Sequence, residues 1–250
     1  TDGDSDSESI DLSGAFSIED DGPSVTVTAT ADAITLDETD AARGSDPDGP
    51  NNAPQGTSSA TADFSDNFSS DVGTDGAPAA GSNLSYAFTL LDALGNPASD
   101  IESGLFALEN TDTSDTDGDG IGQGDAILLN LDAGTGDIVG TANGTEYIRI
   151  AVDNNSASAS FGTATFSQSN NIWHSDTADR DDTETLSVDS LDGSLNLTLT
   201  ATDTDGDSDS ESIDLSGAFS IEDDGPSVTV TATADAITLD ETDAARGSDP

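Results

Sequence analysis

Apolar and polar residues alternate along much of this chain with a period of two. The clearest runs are SVTVTAT (24–30), EYIRIAV (146–152) and SLNLTLTAT (194–202). A period of two puts all the apolar side chains on one face of an extended strand, so each run predicts a half-buried β-strand. About a dozen such segments are separated by clusters of Gly, Asn, Asp and Ser, and no segment keeps the 3.6-residue stripe of a helix. The pattern predicts an all-β chain built as an antiparallel β-sandwich of the immunoglobulin-like kind. Two loops are expected to be long, 40–82 and 109–125. A structureless loop of the first length is uncommon inside a compact domain, which predicts a strand around residues 60–68.

The pattern also repeats at long range. Residues 1–47 recur unchanged as residues 204–250, a period of 204 − 1 = 203 residues. Turn chemistry sets the phase of the unit. Asp20-Asp21-Gly22-Pro23, with its copy Asp223-Asp224-Gly225-Pro226, separates two apolar runs, and Gly-Pro interrupts ladder pairing. The complete domain is therefore expected at 24–226. Residues 1–23 are read as the C-terminal end of a preceding repeat and 227–250 as the start of a following one.

Charge changes the picture from fold to partner. There are 52 acidic residues against 4 basic ones, a formal net charge of −48. Such a surface repels nucleic acid and anionic membranes and attracts cations. High charge with only 32% hydrophobic residues also fits disorder. An acidic coil, however, has no reason to keep the alternation, which a thin sandwich core needs. Salt adaptation would explain the charge but neither the repeat nor the spacing of the aspartates. Cysteine and methionine are absent, so no disulfide or thiolate site staples the fold. No apolar run approaches the roughly 20 residues of a membrane helix, so no membrane insertion is expected.

Three acidic constellations point to calcium. The first is Asp115, Asp117 and Asp119 at alternate positions before Gly120, with Asp125 following. Such spacing lets carboxylates converge on one hard cation, as in the first half of an EF-hand loop. The second half departs, because Ala126 stands where the bidentate glutamate belongs. The second series is Asp203, Asp205, Asp207 and Asp209, partly repeated as Asp2, Asp4 and Asp6. Four carboxylates on one strand-to-strand turn repel one another unless a counter-ion joins them. The third is Glu19-Asp20-Asp21, copied as Glu222-Asp223-Asp224, at the proposed domain joint. Asp32, Asp37 and Glu38 are candidate partners across that joint. For each, the alternative is a hydrated acidic turn screened by salt.

The run NLTLTATDTDGDSDSESIDLSGAFSIEDDGP (196–226), followed in the first copy by SVTVTATADAITLDET, resembles the tandem repeats of giant type I-secreted adhesins of the repeats-in-toxin (RTX) class. The resemblance is best at the two ends of the unit and weaker in its middle, where FSQSNNIWH (166–174) is also similar. It implies β-sandwich modules of the bacterial adhesin-repeat type, calcium at the domain joints, export from a Gram-negative cell, and a spacing role at the cell surface. Asp203, Asp205, Asp207, Asp223 and Asp224 match its acidic motifs. The glycine-rich nonapeptide of a calcium β-roll is missing, and Gly122-Gln123-Gly124-Asp125 is a single degenerate echo of it.

Other features are set aside. His174, the only histidine, stands beside Trp173, the only tryptophan; a buried Trp with a polar neighbour at a strand end is the expected reading, since catalysis needs a paired nucleophile or acid–base group. Sequons at Asn67, Asn83, Asn143, Asn154 and Asn196 are expected by chance in so Asn-, Ser- and Thr-rich a chain. The reading reached is a non-enzymatic, calcium-dependent extender repeat of an extracellular adhesin, monomeric in isolation, with neighbouring repeats as its partners. The alternative is a calcium-dependent carbohydrate- or surface-binding module using loop 40–82 or 109–125.

Overall fold

A computed structural model of the chain describes residues 2–38, 57–78, 83–114, 118–223 and 225–226. The described residues form fourteen strands and one short 3-10 turn, so the chain is all-β as the alternation predicts. In chain order the strands are β1 (Ser24–Val27), β2 (Ile34–Asp37), β3 (Ser59–Asp63), β4 (Phe68–Asp71), β5 (Leu84–Asp92), β6 (Ile101–Leu108) and β7 (Gln123–Leu131). There follow β8 (Ile138–Ala142), β9 (Thr145–Val152), β10 (Thr163–Gln168), β11 (Thr183–Thr185), β12 (Gly193–Thr202), β13 (Ser208–Asp214) and β14 (Phe219–Glu222). The strand expected around residues 60–68 is resolved into β3, the 3-10 turn Phe64–Asn67, and β4. Asp63 caps that turn, accepting from the Ser65 amide at 3.0 Å.

A six-stranded antiparallel sheet, β3-β10-β9-β8-β7-β6, forms one layer. Against it lie the antiparallel sheet β13-β12-β5 and a mixed sheet β11-β14-β2, with β1 and β4 paired at one side. Strict alternation makes these layers possible. Every odd residue of β12 from Gly193 to Ala201 is buried, and Leu195, Leu197 and Leu199 meet Ile127, Ile148, Ile150 and Phe166 from the large sheet in one continuous core. Phe166 of β10 packs on Phe219 of β14 with ring centroids 5.0 Å apart, which ties the large sheet to the mixed one. Phe166 is fully buried, so Phe166→Ala should cost about 3–5 kcal/mol in denaturant titrations.

One pairing departs from the all-antiparallel expectation. β14 runs parallel to β2, in the register Phe219↔Ile34 to Glu222↔Asp37. A parallel neighbour needs a long crossover, and here the crossover is nearly the whole domain. The end of the unit is thereby laid beside its beginning.

The two copies of the repeated segment meet different fates. Ile213, Leu215, Phe219 and Ile221 are at most 5% exposed, whereas their identical counterparts Ile10, Leu12, Phe16 and Ile18 are 81%, 52%, 81% and 100% exposed. Residues 2–23 form no strand, because no β12 and no β2 stand beside them to complete a ladder.

Candidate metal centres

The β12–β13 turn is built around Asp203. Its backbone amide donates to the Asp207 carbonyl at 3.0 Å, and its Oδ1 accepts the amides of Gly206 at 3.0 Å and Asp207 at 2.9 Å. Gly206 adopts φ +105°, a backbone conformation that favours glycine. Asp203 is 1% exposed, and its second oxygen, Oδ2, is buried without a hydrogen-bond partner among the described residues. The carboxylates of Asp203, Asp205 and Asp207 offer oxygens that all lie within 4.8 Å of one another.

A second triad, Asp20, Asp75 and Asp205, meets the same criterion and shares Asp205 with the first. Asp75 lies in the loop after β4, and the Thr204 hydroxyl donates to the Asp75 and Gly76 carbonyls at 2.9 and 3.0 Å, which holds that loop on the turn. Asp20 arrives on the segment leading into β1. The Thr74 amide donates to Asp21 Oδ2 at 3.1 Å, and Gly73, at φ +69°, leaves no room for a side chain against the Asp21 carbonyl. Five carboxylates from three separated parts of the chain thus face one another.

Their titration shows the strain of that arrangement. Asp75 is raised above the ordinary carboxylate range chiefly by the neighbouring carboxylate of Asp20, Asp205 by that of Asp203, and Asp207 by that of Asp20. Asp20 is lowered in return by Asp207 and Asp75. Carboxyls this close share protons when no cation holds them together.

The other expected ligands are scattered. Asp209 turns away from its neighbours: its Oδ2 accepts the Val25 amide at 2.8 Å and so pins β1 beside β13. Asp119 and Asp125 line one polar recess with Glu109, Asp112 and Gln123, and Asp125 accepts from the Asn143 side-chain amide. Among the described residues no three acids converge there. Asp115, Asp117 and Asp224 lie outside the described residues. Asp2, Asp4 and Glu19 are exposed and join none of the clusters among the described residues. Asp37 and Glu38 meet the second copy of the third motif inside the unit rather than across a joint: Asp37 stands opposite the buried Glu222 across β2 and β14, and Glu38 lies beside Asp223. Asp32 joins no cluster among the described residues.

Two residues of these clusters escaped sequence reasoning. Asp75 carried no alternating pattern, and His174 was set aside as a neighbour of Trp173. His174 groups with Glu38 and Asp223, ligand atoms again within 4.8 Å of one another. Burial pushes Glu38 up to about 7, against the opposing hydrogen bonds from Ile172 and Gln168. A carboxyl raised from 4.5 in the unfolded chain to about 7 in the fold binds more protons when folded. Its contribution to metal-free stability is thus full below about pH 4.5 and is lost as pH rises towards 7. Since the Glu38 side chain is only 4% exposed, Glu38→Gln should gain on wild type by about 3 kcal/mol between pH 4.5 and 8 in chelator, read from paired urea melts.

The fold and these sites define a class: an all-β domain of packed, mainly antiparallel sheets with carboxylate clusters where chain segments meet. Residues 33–216 match the family described as "Domain of unknown function (DUF5801)", and the chain belongs to that family. No curated protein and no solved structure matches it.

Proposed function

We propose that this domain is a calcium-dependent extender repeat of a secreted RTX-type surface adhesin, in which calcium ions fold the unit and stiffen its joint with the next. The observation that carries the calcium reading is Asp203: a carboxylate 1% exposed, one oxygen held by two amides and the other unpartnered among Asp205 and Asp207. A buried, unpaired carboxylate oxygen is costly unless a cation meets it. The donor set is oxygen only, multidentate and anionic, which suits calcium. Asp203, Asp205 and Asp207 would hold one ion, and Asp20 and Asp75 would extend the site through Asp205. Calcium would supply charge neutralisation there.

Support for the joint comes from Asp20. It lies on the segment entering the domain, so an ion it shares with Asp75 and Asp205 would clamp whatever precedes β1 to the β12–β13 turn. Residues 1–23 then read as the end of a preceding unit, consistent with their exposed apolar side chains and the 203-residue period. An array of such units makes a long, stiff spacer, and affinities of about 10⁻⁴ to 10⁻³ M would match calcium outside a cell.

Calorimetric titration with calcium tests the reading. Saturable binding in wild type should weaken at least tenfold in Asp203→Asn, and proton release should appear as a dependence on buffer ionisation heat, because bound calcium frees the protons that Asp75, Asp205 and Asp207 retain. Affinity should accordingly fall as pH drops through the raised carboxyl range. Absence of calcium heat in wild type at low ionic strength would exclude the proposal. The joint is tested separately, by X-ray scattering of tandem repeats with and without calcium, which should show a rod that loosens in chelator.

A further inference from the structure

We propose that Glu38, His174 and Asp223 form a second metal site, chemically distinct from the carboxylate clusters and selective for a borderline dication such as Zn²⁺ over calcium. The site follows from topology. β2 and β14 run parallel and end on the pair Asp37–Glu222, so the next residues, Glu38 and Asp223, leave the sheet side by side; the Glu38 amide still donates to the Glu222 carbonyl at 3.0 Å. His174 comes from the segment after β10. The Trp173 amide donates to the Phe106 carbonyl at 2.9 Å, the Trp173 indole donates to the Ile121 carbonyl at 3.0 Å, and its ring packs edge-on against Phe106. These contacts fix the backbone immediately before the imidazole.

The side chains are preorganised for a ligand. Glu38 Oε1 accepts the Ile172 amide at 2.9 Å and the Gln168 side-chain amide, which leaves Oε2 facing His174 Nε2 at 3.9 Å. Orientation of one carboxylate oxygen by hydrogen bonds to the other is how outer-shell groups aim a metal ligand. The His174 side chain is 5% exposed, and neither ring nitrogen has a hydrogen-bond partner among the described residues. The Asp182 carbonyl lies near the ring without meeting hydrogen-bond geometry.

An ion pair without metal accounts for this poorly. It requires a protonated imidazole, which burial disfavours despite the pull of Asp223, Glu184 and Asp182, and 3.9 Å is beyond hydrogen-bonding distance. A neutral pair leaves both ring nitrogens unsatisfied in the interior, a costly outcome. A dication resolves both defects, taking the imidazole lone pair and balancing the two carboxylates. One nitrogen and two oxygens suit Zn²⁺ and its neighbours in the transition series, whereas calcium takes six to eight oxygens. A tetrahedral ion holds its ligands roughly 3.3 Å apart, so the three side chains would draw in slightly. The fourth position would face the adjoining cavity of about 390 Å³, lined also by Trp173, Asp179 and Arg180.

The single tryptophan, adjacent to His174, is a built-in reporter. With the full chain in saturating calcium, Co²⁺ should quench Trp173 fluorescence at one equivalent with micromolar affinity, and Zn²⁺ should reverse the quench. His174→Gln and Glu38→Gln, each checked for native circular dichroism, should lose at least about 100-fold in affinity, while Asp205→Asn should titrate like wild type. If the histidine variant does not fold, the glutamate variant and direct Zn²⁺ calorimetry on wild type decide the matter. The proposal is overturned if wild type shows no stoichiometric quench, if folded His174→Gln or Glu38→Gln quenches as wild type does, or if calcium displaces Co²⁺ as well as Zn²⁺ does. Loss of the calcium clusters in Asp205→Asn without loss of Co²⁺ binding would keep this site distinct from the calcium reading.

Discussion

Trimming residues 2–18 should leave the melting temperature within roughly 2 °C of the full chain, whereas further deletion of residues 208–222 should abolish the cooperative transition. Residues 208–222 have the same sequence as residues 5–19, so the contrast isolates context from composition. In the second copy, Ile213, Leu215, Phe219 and Ile221 are buried, and burying each contributes about 1.5–3 kcal/mol. Four together approach the whole stability of a typical domain, about 5–15 kcal/mol. Deletion also strips β12 of its β13 partner and β2 of its β14 partner, leaving unpaired ladders beside an opened core. Differential scanning calorimetry with far-UV circular dichroism reads both outcomes. Equal losses from the two deletions would mean that the first copy is also packed.

Chelation should lower the melting temperature by about 10–20 °C. A single ligand site at one hundred times its dissociation constant stabilises by about 2.7 kcal/mol, and a domain of this size shifts by roughly 2–4 °C per kcal/mol. Two ions, one in each of the triads that share Asp205, would double the effect. Asp203→Asn should remove the share of the ion it would hold with Asp205 and Asp207, about half of the response to calcium, while keeping the fold, because asparagine can still accept the Gly206 and Asp207 amides. Thermal melts in calcium and in chelator, at low ionic strength to avoid screening, measure it. Melting that is indifferent to chelator would end the calcium reading. Magnesium, which demands tighter octahedral geometry, should rescue poorly.

The strands were legible wherever one face is buried. In β5, β6 and β12 alternate residues enter the core, and period two is then the direct imprint of the sheet. β13 alternates less cleanly, with Ile213 its single buried residue. The parallel β2–β14 pairing left no local trace, because strand direction depends on what lies between. The same holds for the sites. Alternate spacing named Asp203, Asp205 and Asp207 together, since a tight turn places neighbours in sequence close in space. It also named Asp209, which lies already on β13 and serves the Val25 amide instead. Asp75 belongs to the group only because Thr204 holds its loop on the turn.

The sequence by itself determined that this chain is a β protein, that it repeats, that it attracts cations, and that one turn concentrates carboxylates. Each of these follows from local order: alternation, identity, charge and spacing. Tertiary structure decided which of two identical segments becomes β13 and β14, which distant acid completes a cluster, and that Glu38, His174 and Asp223 come together. Those outcomes depend on which surface a segment finds beside it. A strand needs a partner and a metal site needs ligands from several strands, and neither is written in the segment itself.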